Sequence, residues 1–452
     1  MGLLLGGGST KPQYPYDMWY GVQGDFTSLD YRLTRVGNLD LHRTLPIQKK
    51  IRRFVENADG TVKYYLHQND SRNKESGASA ILDGTDGNVM LEKPEYYFRM
   101  EVQGTKWLRA YSEYPLPGFV KMERKVISPW FATIDSTTST AVSACFLTWS
   151  GNAIARDTNG FIVLTANAAN CRGGSGAGDS GWDATYHSML GMPRTSISKA
   201  GVRPTCKNGT HHGVYRAYNE IAWLQRCEYA SLHCQDTYNE TLTADGYKQG
   251  GLGSGPAVDW TEWGNWGGYR PFVPSGVTAT LGNNTGKVSY VIKGWTGGDK
   301  TVQVTSYRGL ENPFEYLWML ADDVLIYHGA TTSTAYVCED PTKFTSHSDS
   351  ATDVPAGYVS VSNLPRTDGY ILQLTHSSKS FSFPDTLGGN SNVGACDYFY
   401  TSVDDAGFTP GWYGSLLSAN ATYGALAGFG NLATDNRSSF ADAYFGFRLC
   451  RF

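Results

Sequence analysis

At 452 residues and 40% hydrophobic content, the chain can bury a large core and is long enough for about two or three domains. Charged residues make up only 18% and the net charge is −4, so the sequence carries no field that would draw nucleic acid or an anionic membrane. Gly (52), Tyr (29) and Trp (12) are abundant, which suits turn-rich β structure with aromatic surfaces, and β is expected to outweigh α.

The first residues, Met1 to Thr10, lack a basic stretch and hold only three consecutive leucines, too few for a secretory leader. No run has the length of a membrane-spanning helix, and Gly6 stands where a myristoylation signal needs Ser or Thr. Synthesis in a cytoplasm without membrane insertion is the expectation. Residues 1–119 read as a β-rich module. Asn57-Ala58-Asp59-Gly60 separates two apolar runs and predicts a hairpin. Residues 88–92 and 96–102 predict a second strand pair. Pro115, Pro117 and Gly118 mark a boundary before a larger unit, residues 120–452.

Two segments of that unit carry helical periodicity. Over 219–234, Trp223, Cys227, Ala230 and Cys234 share a face, with Asn219 as N-cap and Glu220 in the first turn. Over 312–325, Asn312 is an N-cap, Pro313 fits the first turn, Glu315 closes a capping box, and Phe314, Leu317, Trp318, Ala321 and Leu325 form a stripe. Strands are expected at 286–293, 301–307, 369–374 and 443–449. The glycine-rich stretches 171–181 and 250–255 lack the lysine and the following helix that a phosphate loop requires.

Eight cysteines occur without any CxxC pair, so most read as buried thiols, with no zinc ribbon or dithiol site. His211-His212 near Cys206 has no third ligand at metal spacing and reads as a solvated loop. Asp322-Asp323 and Asp404-Asp405 offer oxygens for calcium, yet no DxDxDG loop is present. No GxSxG nucleophile elbow appears. Neither metal nor cofactor is expected. From Ser380 onward the chain contains no Lys, Glu, Gln, His, Met or Ile and is dense in Tyr, Phe, Asn, Ser and Gly, the alphabet of recognition surfaces. Within it, Trp412-Tyr413 either stacks on a sugar ring or fills the core, with the core reading preferred.

Several blocks resemble phage tail proteins with a C-type lectin-like fold. Tyr215 to Gly255 looks like their first helix and following loop. Tyr307-Arg308-Gly309-Leu310-Glu311-Asn312-Pro313-Phe314 leading to Trp318 looks like their RGIENPFG block, and residues 83–101 look like their DGTDGxVMVEIPKFYY stretch. Phe445-Gly446-Phe447-Arg448-Leu449-Cys450 is similar to the terminal GFRL strand shared with formylglycine-generating enzymes.

The resemblance implies an α+β protein: a C-type lectin-like domain, with two helices and twisted antiparallel strands, preceded by the small β-rich N-terminal module. It also implies a variable adhesin diversified by a retroelement. Adenine-directed changes of Asn codons do not produce Lys, Glu, Gln, Met or Trp, which agrees with the C-terminal alphabet except at Trp412, a fixed scaffold position on this reading.

The implied binding face is 411–445. Trp412, Tyr413, Asn420, Thr422, Tyr423, Asn431, Asp435, Asn436, Arg437, Phe440, Asp442 and Tyr444 are its candidate contacts. The implied function is a virion adhesin, a tail fibre or receptor-binding protein. It would bind a host surface glycan or protein receptor without turnover, with residues 1–119 attaching to other virion proteins or forming a homotrimer. The calcium-lectin sugar triplets are absent, so calcium-dependent sugar binding is not implied. An oxidase of the formylglycine-generating type is the alternative, disfavoured because Cys396 and Cys450 lack the close spacing of its copper cysteines. A purely structural virion component is the other.

Overall fold

The computed structural model describes residues 16–135, 138–145, 192–256, 273–295, 298–442 and 444–452. The N-terminal leucines, Cys171 and the glycine-rich stretch 171–181 lie outside the described residues. The described chain is mixed but mostly β, with few helices.

Turn chemistry sets the first hairpin. Asp59 accepts hydrogen bonds from Thr61 N and Oγ1 at 2.9 and 2.6 Å, and Gly60 adopts φ of 86°, a left-handed backbone that favours glycine. Arg52–Glu56 and Val62–His67 pair across it, with Phe54 opposite Tyr65. The next two expected strands form but do not pair with each other. Val89–Lys93 lies between Arg52–Glu56 and Lys125–Ile127, whereas Tyr96–Gln103 lies between Lys106–Ser112 and Val120–Met122. Pro94 holds Lys93 extended, so the chain crosses from one sheet into the other instead of doubling back. Strands on both sides of the Pro115–Gly118 boundary share these sheets. Cys450–Arg451 completes the six-stranded one by pairing with Lys125–Ile127.

The long helix Tyr215–Tyr229 starts four residues before the expected cap. Val214 makes no side-chain cap bond; instead the Asp323 carboxylate accepts from Tyr215 N at 3.0 Å and Arg216 N at 3.1 Å. Asn219 sits in the second turn, donating from Nδ2 to Ser380 O. All fifteen residues of this helix are buried. Trp223 packs edge-on against Trp107 and beneath the Arg109 guanidinium, 3.9 Å from the ring centre, which ties the helix to the N-terminal sheet.

The helix expected over 312–325 is absent. Asn312 and Glu315 take left-handed φ values of 44° and 57°, and Trp318–Leu320 and Val324–His328 are strands. The backbone groups that a helix would pair internally go sideways. Arg448 donates to Glu311 O and Asn312 O, Tyr218 Oη to Pro313 O, and Ser418 Oγ to Leu317 O, while Tyr316 N and Trp318 N donate to Ala419 O and Tyr444 O. Glu315 closes no capping box; its Oε2 accepts from Gly255 N and Gln235 Nε2.

Trp318–Leu320 belongs to a seven-stranded sheet in the order Pro384–Leu387, Gly369–Leu374, Tyr398–Tyr400, Leu432–Ala433, Leu416–Leu417, Trp318–Leu320, Phe445–Gly446. Side chains alternate across it. Phe399, Leu432, Leu417 and Met319 join the large core around the long helix. Ala433, Leu416, Leu320, Trp318 and Phe445 join a second core with Phe54, Met90 and Val126 of the six-stranded sheet. The terminal strand expected over 443–449 is split: Phe445–Gly446 ends in this sheet, Cys450–Arg451 begins in the other, and the buried Arg448 lies between them. The expected strands at 286–293, 301–307 and 369–374 fall within Gly286–Trp295, Gly298–Tyr307 and Gly369–Leu374.

Candidate ligand-binding face

Of the twelve residues singled out in 411–445, five are buried. Trp412 and Tyr413 belong to a four-stranded sheet, where Trp412 packs against Tyr327 and Tyr336 at 5.1 and 4.9 Å; this is the core role preferred for the pair. Asn420 accepts from Thr422 N and Oγ1, and Asn431 donates from Nδ2 to Leu426 O, so the two shape the intervening loop from within. Asp442 is 1% exposed, and its carbonyl accepts from Ser196 N. None of the five offers its side chain to solvent, which corrects their reading as surface contacts.

Among the other seven, Arg437 serves the frame. Its guanidinium lies 3.8 Å above the centre of the Tyr413 ring and donates to Trp412 O and Thr409 O at 2.9 Å each. Asn436 is half-buried, donating to Asp435 Oδ1 and accepting Gly414 N on its carbonyl. Tyr444 is half-buried against Phe445, and Thr422 is half-buried in the Asn420 turn. Asp435 is exposed, as is Phe440 at 46%; Tyr423 is half-buried.

Tyr423 leads to the feature that sequence reasoning missed. Its ring lies 5.3 Å from Tyr400, Tyr400 lies 4.6 Å from Tyr398, and Tyr398 lies 5.1 Å from Tyr370. All four rings are half-buried. The register explains the strip. Tyr370 and Tyr398 are direct cross-strand partners, and Tyr398 and Tyr400 flank the inward-facing Phe399, so all three project from the sheet face opposite the long helix. Along that face Trp318 and Leu320 are buried against the six-stranded sheet, Tyr400 and Tyr423 pack half-buried against the same core, and Tyr398 and Tyr370 continue the strip from them. Trp318 supports them from below, 5.2 Å from Tyr423 and 5.9 Å from Tyr400.

Carboxylates flank the strip. Asp368 accepts Thr401 N at 2.6 Å, and burial together with Asp404, Asp435 and Asp405 raises its carboxyl above the usual range. Burial also raises the Tyr398 and Tyr370 phenols, assisted at Tyr398 by Asp368 and opposed at Tyr370 by a Ser391 hydrogen bond. The strip therefore holds neutral phenols, each able to donate and accept.

The remaining polar clusters serve the fold. Asp322 is fully buried, accepts both Arg203 Nε and Nη2 at 2.6 and 2.7 Å, and faces His212 Nε2 at 3.5 Å; Asp323 caps the long helix. Neither is open to a calcium ion. His212 is buried, not solvated, and burial pulls its imidazole down to about 4 despite Asp322, while His211 stacks on Phe452. Among the described residues no group of three or more His, Cys, Asp or Glu lies close enough to hold a metal. The seven described cysteines are free and all but Cys206 are buried; burial pushes the Cys396 and Cys450 thiols up, away from the thiolate form.

No protein-family model matches the chain, and no curated protein matches it either.

Proposed function

We propose that the chain is a virion adhesin, a tail-fibre or receptor-binding protein whose C-terminal part is a C-type lectin-like ligand-binding unit. Its receptor contacts would centre on the Tyr370–Tyr398–Tyr400–Tyr423 strip. That strip is the observation that carries the reading: amphipathic rings on one sheet face, held by cross-strand pairing and by Trp318, present a preorganised recognition surface. The rigid support matters because little ordering remains to be done on binding. Residues 1–119 would contribute to attachment on the particle, and a homotrimeric assembly would turn weak single contacts into firm adhesion. Diversification, on this reading, is tolerated at Tyr423, Asp435 and Phe440, which reach solvent, and not at Asn420, Asn431 or Asp442, which the fold encloses.

The test is retention of the labelled full chain on a panel of bacterial strains, repeated with the Y398A/Y400A double variant after its melting curve is shown to match. The reading expects at least one strain to hold the chain and the double variant to be washed off. Equal retention of the folded double variant, or retention by no strain, would count against it.

A further inference from the structure

The geometry of the strip says what kind of ligand it takes, an inference that rests on the adhesin reading and deepens it. Successive rings stand at interplanar angles of 81°, 44° and 87°. No flat extended aromatic ligand can stack on several such rings at once. Separate small rings joined by rotatable links can meet each tyrosine on its own plane. Charge narrows the class further. Asp404, Asp405 and Asp435 lie close enough to Asp368 to raise its carboxyl, and among the described residues none of the four has an ion-pair partner. The nearest arginines in sequence are committed elsewhere, Arg366 to Gly329 O, Ala330 O and Ser333 Oγ, and Arg437 to Thr409, Trp412 and the Tyr413 ring. A ligand on this surface meets acceptor-only carboxylates and neutral phenols, so it must bring hydroxyl or amide donors and no negative charge of its own.

We propose that the strip and its carboxylate margin bind a short glycan chain of uncharged pyranose rings and discriminate against glycans bearing carboxylate or sulfate groups. The ring CH faces pack on the tyrosines, and the sugar hydroxyls donate to Asp368 and its neighbours.

The purified full chain is titrated with neutral oligosaccharides (glucose, galactose and N-acetylglucosamine hexamers) and with uronic-acid hexamers of matched length. Binding is read by calorimetry and by tryptophan fluorescence, to which Trp318 contributes from beneath Tyr400 and Tyr423. At least one neutral hexamer should bind, and its Kd should rise by about tenfold or more in Y398A. The matched uronic hexamer should bind at least about tenfold more weakly, and the D368N/D404N/D405N/D435N variant should narrow that gap. An acidic hexamer binding as tightly as its neutral match, or neutral binding indifferent to Y398A, overturns the proposal. If no neutral hexamer binds although Y398A/Y400A abolishes retention on cells, the glycan class is wrong and the adhesin reading stands. If cell retention also ignores that double variant, the adhesin reading falls as well.

Discussion

Replacing Glu220 by Gln tests how the long helix is fixed to the frame. Glu220 is 3% exposed, with Oε2 2.7 Å from Lys93 Nζ and Oε1 2.8 Å from Lys125 Nζ; both lysines are buried on neighbouring strands of the six-stranded sheet. Burial alone would push the Glu220 carboxyl up, but the two ammonium groups hold it below the usual range. Burial pulls Lys93 down to about 8 even with Glu220 opposing it. Gln keeps the shape and removes the anion, leaving two buried cations facing each other. Breaking a buried pair in this way costs about 3–5 kcal/mol. The cost has a ceiling, because Lys93 can shed its proton instead. From its ordinary 10.5 to pH 7 is about 3.5 pH units at about 1.4 kcal/mol each, or about 5 kcal/mol. The sign with pH follows. A lysine whose folded value is depressed gains stability as pH rises towards the unfolded value; without Glu220, Lys93 is depressed below its wild-type value of about 8, so the E220Q deficit should shrink between pH 7 and about 8 and level off above that, where both proteins gain alike. Urea unfolding followed by tryptophan fluorescence measures both quantities. A deficit under about 1 kcal/mol, or one that does not change with pH, would refute the claim that this triad is a desolvated electrostatic anchor. Converting all three residues to Met should restore the stability or exceed it.

Three further outcomes are expected. D323A removes the acceptor of Tyr215 N and Arg216 N at a buried helix start and should cost about 2–4 kcal/mol, seen as a lower melting temperature in far-ultraviolet circular dichroism; an unchanged melt would contradict the capping role. His328 sits between Ser333 Oγ and Thr434 O, and burial pulls its imidazole down to about 4. Its unfolded form takes up a proton first, so this contribution is intact above about pH 6.5 and falls by about 3 kcal/mol towards pH 4. H328Q should therefore show a flatter acid limb of stability than the wild type, and parallel limbs would refute the assignment. R437A should lower stability by about 1–3 kcal/mol through the lost Tyr413 stack and carbonyl bonds, and it should leave glycan affinity within about twofold. A large affinity loss with unchanged stability would make Arg437 a contact instead of a strut.

What could be read from the sequence was what local chemistry decides. The Asn57-Ala58-Asp59-Gly60 turn makes its hairpin whatever surrounds it, because Asp59 and Gly60 supply the acceptor and the left-handed φ themselves. The long helix was visible in its apolar spacing, but its start was not, since the cap comes from Asp323, far along the chain. The false helix over 312–325 has a shared cause with the buried binding residues. Phe314, Leu317, Trp318 and Ala321 have helical spacing, yet Glu311, Asn312, Glu315, Asp322 and Asp323 between and around them are buried too, and the four carboxylates accept hydrogen bonds from remote segments. Periodicity marks which residues are apolar; it does not reveal that the polar ones are enclosed as well. Asn420 and Asn431 were misjudged in the same way, as polar residues assumed to face water.

The tyrosine strip shows the converse. Its signal was present in Tyr398-Phe399-Tyr400, a period-two pattern that puts Phe399 inward and both tyrosines outward. The sequence could not show that Tyr370 pairs with Tyr398, that Tyr423 arrives on a loop seated by Tyr316 against Asn420, or that Tyr400 and Tyr423 are only half-buried against the second core. Where one sheet face passes from covered to uncovered depends on how far its neighbour extends, a property of the assembled layers. The same face that buries Trp318 and Leu320 as core carries half-buried tyrosines farther along, and that change from fully apolar side chains to phenols fits a face that passes from interior to partly wetted.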